Sequence, residues 1–400
     1  MASTIAAITT SGGGVVTTAD ASGNLSLLSG ATTVVAVTSA GVAVTGTLSA
    51  SNGISVANTF GFKNRIINGG MVIDQRNAGA SVTPVAGQFV TDRFRFSLSQ
   101  TSKLTAQQST TAPAGFINSL LVTSSSAYSV LTGDYFGIAH PIEGLNVADF
   151  GWGSAGAATV TLSFWVRSSL TGTFGGAVQN SASNRSYPFS YTISAANTLE
   201  QKTITIAGDT TGTWLTTNGV GLVVRFGLGY GSTYGGGTAG AWVGSDTQSV
   251  TGAVSVVGTS GATFYITGVQ LEKGSTATSF DVRAYSAELA MCQRYYFKTF
   301  AQGTAPVQNS GSTAGGLLVS TSATSTFGGS LSLPVTMRAA PATVTTFNPS
   351  AANANWRDTN NAADRTIASA GGGDSALFVS GVSGIVNGLN FCHVTATAEL

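Results

Sequence analysis

Hydrolysis of a glycosidic bond needs two carboxyl groups about 5 to 9.5 Å apart, one of them with a raised pKa. The candidates in this sequence, Asp134, Glu143, Asp149, Glu200, Asp209 and Asp246, are scattered along the chain. None forms a close pair flanked by aromatics, and Glu143 beside Gly144 suits a turn better than a catalytic acid. The two histidines, His140 and His393, assemble neither a triad nor a metal site by sequence proximity, and no nucleophile stands in a recognisable elbow. Lys273-Gly274-Ser275-Thr276 has Gly and Lys in the wrong order for a phosphate loop. Cys292 and Cys392 lack the close spacing of a zinc site and cannot build a disulfide framework, so both read as buried free thiols. No catalytic residue, metal or cofactor is implied.

A different chemistry is written into Gly227 to Trp242, where glycines alternate with aromatics and hydroxyls. Glycine lets backbone approach a ligand closely, while Tyr230, Tyr234 and Trp242 offer flat apolar faces with polar edges. Sugar rings suit that mixture: their CH faces stack on aromatics, and their hydroxyls seek partners such as Ser232 and Thr233. Tyr230, Tyr234, Trp242, Ser232 and Thr233 are therefore the candidate glycan contacts. The competing reading makes the glycines turn devices and the aromatics cover for a sheet. Trp165 and Trp214 are weaker candidates for the same face.

The elements that must position these residues are β-strands. Of 400 residues only 8% are charged, against roughly 25% in an ordinary soluble domain, and 52 glycines stand against 8 prolines. That composition points to an all-β chain and away from an enzyme. A formal net charge of +1 without a basic tract removes the electrostatic drive for nucleic-acid binding. The best apolar run, Val220 to Leu228, is split by Arg225 and is far shorter than the roughly 18 residues a membrane helix needs, so no membrane insertion is expected. No Lys or Arg precedes Lys63, so the N-terminus lacks a secretory signal, and synthesis in a cytoplasm is expected.

Three regions follow. Residues 1–62 carry a single ionisable side chain, Asp20, and repeat a Gly turn followed by a short alternating strand, at Ser22 to Leu27, Ala40 to Thr45 and Asn52 to Val56. Such strands are too poor in large side chains to bury a core alone, which predicts an intertwined β segment shared among identical chains. Residues 63–284 read as a jelly-roll sandwich. Phe94, Phe96 and Leu98 alternate with polar residues, as do Val160, Leu162, Phe164 and Val166, and Val220 to Leu228 alternate around Arg225. A hairpin is expected at Ile66 to Ile73 around Asn68-Gly69. Residues 285–400 read as a helix plus a second β sandwich. Tyr285, Leu289, Cys292 and Tyr296 make one apolar stripe over Ser286 to about Lys298, with Ser286 as cap and Glu288 in the first turn. Strands are expected at Leu331 to Met337 and at Asn390 to Ala398.

Lys63-Asn64-Arg65-Ile66-Ile67-Asn68-Gly69-Gly70-Met71 with Ile73-Asp74-Gln75-Arg76 resembles the opening of a sandwich domain of bacteriophage tail-fibre and other virion appendage proteins. Ile142-Glu143-Gly144-Leu145-Asn146, Thr161 to Arg167, Ile266 to Gly274, Glu288 to Tyr296, Pro334 to Pro341 and the final Ala398-Glu399-Leu400 are similar to the same family, in the same order. His140 departs from it, since similar chains tend to carry Gln there. The resemblance implies a homotrimer whose N-terminal part docks on another virion structural protein and whose C-terminal part faces the host. It also implies a carbohydrate-binding-like central domain, a host cell-surface glycan as ligand, and a place in the virion. A head fibre, decoration or baseplate component that is not the primary adhesin is the second reading, and a glycan depolymerase the third.

Overall fold

The computed structural model describes residues 25–29, 32–38, 41–44, 62–311, 315–322, 325–382 and 386–400. The chain divides into two compact units, Met1–Thr59 and Phe60–Leu400. In the first, β1 (Leu25–Ser29), β2 (Thr32–Thr38) and β3 (Gly41–Val44) form an antiparallel sheet in that order, with a bulge between Leu27 and Leu28. Two of the three expected repeats thus supply strands, β1 and β3. The third, Asn52 to Val56, lies outside the described residues.

The second unit begins with a two-sheet sandwich. Its strands are β4 (Phe89–Thr91), β5 (Phe94–Leu98), β6 (Leu104–Ser109), β7 (Ser119–Ser124), β8 (Tyr135–Glu143), β9 (Val160–Ser168), β10 (Gly172–Asn180), β11 (Ser186–Ile193), β12 (Glu200–Ile206), β13 (Val220–Tyr230) and β14 (Thr263–Lys273), with a one-turn helix α1 (Ser232–Gly235) after β13. One sheet runs β11-β10-β13-β8-β5-β4, the other β12-β9-β14-β7-β6, and neighbours are antiparallel. Strand period two sends Phe94, Phe96, Phe136, Phe164, Phe174, Phe226 and Leu222 into the space between the sheets, where all are buried.

Two expectations need correction here. The outer face of β13 is not a solvent face: Val223 and Arg225 are 4% and 8% exposed. The chain after β13 folds back over it, with Val243 bridging Ser186 and Asp246 accepting from Gln179 Nε2 at 2.8 Å, while Gln179 accepts from Arg225 Nε. Ile66 to Ile73 turns at Asn68, φ +60°, without becoming a hairpin. Apart from the turn bond from Met71 N to Asn68 O at 2.9 Å, it is tied to neighbouring segments, with Val269 N of bulged β14 donating to Gly69 O at 3.0 Å, Asp92 N donating to Ile73 O at 3.2 Å, and the preceding Arg65 N donating to Leu271 O at 2.9 Å.

The helix α2 spans Tyr285–Gln293. The expected apolar stripe holds only in part: Cys292 is buried and Leu289 half-buried, but Tyr285 is 53% exposed, and the helix stops before Tyr296, which opens the strand β15 (Tyr296–Lys298). Ser286 does not cap it, because it already lies inside the first turn. The capping position is Ala284, which has no side-chain bond to give. Glu288 in that turn accepts from the Asn68 N–H. Beyond lie β16 (Leu317–Thr321), β17 (Thr326–Ser332), β18 (Thr343–Phe347), β19 (Trp356–Asp358), β20 (Ala363–Arg365), β21 (Ile367–Gly372), β22 (Ala376–Val382) and β23 (Gly388–Thr397). β23 pairs with β15, β16, β18 and β19, and β17-β22-β21 form a second sheet over a core of Phe327, Met337, Trp356, Leu377, Val379, Cys392 and Val394. The strand expected through Met337 ends at Ser332, because Pro334 has no N–H to offer a ladder. Both cysteines are free and buried.

A charged seam joins the sandwich to the chain end. Arg76 and Arg93 both grip the Glu399 carboxylate, and Arg294 and Tyr295 Oη both reach Glu143. Arg93 also lies 3.6 Å from the Tyr295 ring centre.

Candidate functional site

The structure divides the five predicted contacts into two places. Tyr230 ends β13 and folds over Gly137 and Gly227: a Cβ on Gly137 would overlap the Tyr230 hydroxyl. That hydroxyl is buried without a hydrogen-bond partner among the described residues, and burial pushes its pKa up to about 12. Tyr234 meets Tyr135 edge-on at 5.3 Å, while Ser232 and Thr233 are exposed on α1. Trp242 stands elsewhere. Its neighbour Tyr187, 5.2 Å away, pairs with Val178, which pairs with Val224, six residues before Tyr230. Six residues are about 20 Å of strand.

Trp242 joins Trp152 and Trp214 instead. The three rings meet edge-to-face in every pairing, at 4.7 Å for Trp152–Trp214, 5.2 Å for Trp152–Trp242 and 5.4 Å for Trp214–Trp242. Each indole N–H is taken up by backbone: Trp152 by Ala158 O at 2.8 Å, Trp214 by Thr211 O at 3.2 Å and Trp242 by Ala207 O at 2.8 Å. What these partly exposed rings still present is therefore carbon and π surface.

The loops that hold the cluster depend on two glycines. Gly153 has φ +86°, and a Cβ there would lie 2.9 Å from Gly212 O and 3.3 Å from Trp214 Cδ1. Gly144 opens the short 3₁₀ turn Gly144–Asn146, and a Cβ on it would overlap Leu215 O. The same turn ties down the loop carrying Trp214, with Gly144 N donating to Gly219 O at 2.9 Å and Leu145 N to Thr217 O at 3.0 Å. Between turn and loop opens a cleft of about 170 Å³ lined by Val147, Phe150, Trp152, Trp214, Leu215 and Leu222, with Ser154 and Thr216 as its polar side chains. Beside the tryptophans, buried Asp209 takes both Nε and Nη2 of Arg185 at 2.7 Å. Burial opposes the charge on Asp209, but the Arg185 and Thr211 hydrogen bonds outweigh it and hold the carboxyl below its ordinary pKa.

Trp152 was the member that sequence reasoning missed. Its signal was present: Gly151-Trp152-Gly153 places a large ring between glycines and outside any alternating strand. Trp165 lies apart on β9, beside Gly268 at the β14 bulge.

The other candidate carboxylates have structural partners. Glu143 takes Arg294 Nε at 2.9 Å and Nη2 at 2.6 Å. Asp149 pairs with Arg65 at 3.0 Å, and Glu200 with Lys202 at 2.6 Å. Asp134 accepts from Ser99, Tyr128 and Leu131. Asp246 accepts from Gln179 and Gln248. The carboxyls pushed up by burial are Asp92, which pairs with Arg76 at the seam, and Glu288, which takes the Asn68 N–H and Arg283 and lines a separate cleft of about 350 Å³ with Phe116, Phe280, Val282 and Tyr285. Both histidines are buried. Among the described residues no group of three His, Cys, Asp or Glu could hold a metal, and no helix is long and apolar enough to cross a membrane.

No family model matches the sequence, and a search of curated proteins finds no match. Solved structures similar to it include the enzymatically active domain of bacteriophage CBA120 tailspike protein 4, at 13% identity and TM-score 0.29, covering 53% of this chain. The chain spans about a fifth of that tailspike chain, 21% of its length. A family 11 carbohydrate-binding module from Clostridium thermocellum matches at 11% identity and TM-score 0.24, covering 50% of this chain and 96% of that one. TmCBM61, solved with beta-1,4-galactotriose, matches at 10% identity and TM-score 0.25, covering 47% and 92%.

Proposed function

We propose that this chain is a subunit of a bacteriophage virion appendage whose central sandwich binds a host-surface glycan without cleaving it. The observation that carries the binding reading is the tryptophan-walled cleft, with its indole N–H groups committed inward and its ring surface left for a sugar. Absence of cleavage is supported by the pairing of each candidate acid with a structural partner. The ordered sequence resemblance over residues 63–400 supports the appendage reading. A nearly uncharged segment 1–62 suits docking against another virion protein, since Asp20 is its single ionisable side chain to desolvate. In the full chain that segment forms a homotrimer, and three weak sites then act together by avidity.

The test is a glycan array probed with the full chain, followed by titration of the best ligand against Trp214→Ala. Stripping one stacking ring removes about 1.5 to 3 kcal/mol, so affinity should fall roughly 10- to 100-fold while the circular dichroism spectrum is kept. Unchanged affinity would sink the cleft as the site. Release of new reducing ends from a bound polysaccharide would make the protein a depolymerase, and a monomer in light scattering would remove the trimer.

A further inference from the structure

Resting on that reading, we propose that the cleft selects neutral sugars carrying a methyl group, either the C5 methyl of a 6-deoxyhexose or the acetamido methyl of an N-acetylhexosamine. The reason is the shortage of polar partners in its walls. Val147, Phe150, Trp152, Trp214, Leu215 and Leu222 surround the space, and no ionisable side chain lines it. The indoles of Trp152 and Trp214 have already given their N–H groups to Ala158 O and Thr211 O. Ser154 donates its hydroxyl to Gly151 O at 2.7 Å, and both Ser154 and Thr216 are exposed.

A sugar hydroxyl pressed against the carbon walls gives up water and finds only the exposed Ser154 and Thr216 as side-chain partners, whereas a methyl group gains from leaving water. Apolar pockets of this kind reject an added hydroxyl by up to about 100-fold. A uronate or sialate would bring a charge to a cleft that offers no cation. Leu215, 38% exposed, is the most exposed of the large apolar side chains that line the cleft.

The experiment compares free sugars in matched pairs by saturation-transfer NMR and titration with the full chain: L-fucose with L-galactose, L-rhamnose with L-mannose, and N-acetylglucosamine with glucose. Methyl glycosides are avoided because their aglycone would supply the very group under test. At least one methyl-bearing member should bind tenfold or more tighter than its partner, with the strongest saturation on its methyl protons. The pair that discriminates tells the deoxy source from the acetamido source. Leu215→Ser should narrow the ratio to below about threefold without changing the thermal midpoint by more than a few degrees. Equal binding within every pair, or binding confined to acidic sugars, overturns the selectivity while leaving glycan binding standing. Silence from all six sugars and from the array overturns both.

Discussion

His140→Gln should flatten the acid limb of the stability curve. His140 is 1% exposed, packed edge-on to Phe94 at 4.7 Å, and its Nδ1 has no hydrogen-bond partner among the described residues. Its Nε2 faces both the Ile67 N–H at 3.3 Å and the Ile67 carbonyl at 3.0 Å. One ring nitrogen serves only one of these at a time in the neutral form. Burial, reinforced by the nearby Arg93 charge, holds the imidazole pKa down to about 3, against about 6.5 when unfolded. The fold thus accepts the neutral ring, and its stability is complete above pH 6.5 and declines as the unfolded chain takes up a proton on the way down to about pH 3. At pH 5 the deficit from this ring is about 2 kcal/mol, being 1.5 pH units below 6.5 at ~1.36 kcal/mol each. A glutamine amide carries donor and acceptor together and does not titrate, so it can serve both Ile67 groups. Urea unfolding at pH 7.5 and pH 5 measures the difference. The parent should lose about 2 kcal/mol more than His140→Gln between the two conditions. His393, held down to about 4 by burial, adds its own acid sensitivity equally to both proteins and cancels in the comparison. Equal losses, within about 0.5 kcal/mol, would refute the claim that this ring is kept neutral by the fold.

Glu399→Gln should destabilise strongly. The Arg93 side chain is 1% exposed and shares Glu399 with Arg76, so removing the carboxylate leaves buried cationic charge with reduced compensation, at a cost of about 3 to 5 kcal/mol in thermal or urea unfolding. A loss below about 1 kcal/mol would mean the seam is held mainly by packing. Gly144→Ala should displace the loop carrying Trp214, because the new Cβ has Leu215 O in its place and Thr217 O at 2.7 Å. Sugar binding should fall at least tenfold, and amide exchange should quicken in residues 211–219. Unaltered exchange there would separate the loop from the turn.

The sandwich strands were legible because alternation survives burial of one face. Phe94-Arg95-Phe96 and Val160 to Arg167 announce their strands in any context. Helix α2 was legible through Cys292, but its end was not, since Tyr296 continues the helical spacing while pairing with Thr397 in a sheet. The candidate site was legible only in kind. Glycine-flanked aromatics marked surface-seeking rings, yet the linear stretch Gly227 to Trp242 suggested one platform where the fold makes two places.

Composition and strand periodicity determined by themselves an all-β chain with two free thiols, since these properties depend on each residue and its near neighbours. Tertiary structure alone decided that Trp152, Trp214 and Trp242, drawn from three separate loops, meet in one cluster, and that the first two wall a cleft. It also decided that Arg225 is covered rather than wet. Loop meeting points depend on sheet order and on backbone bonds such as Leu145 to Thr217, which join residues 72 positions apart, and no local pattern in the sequence encodes that pairing.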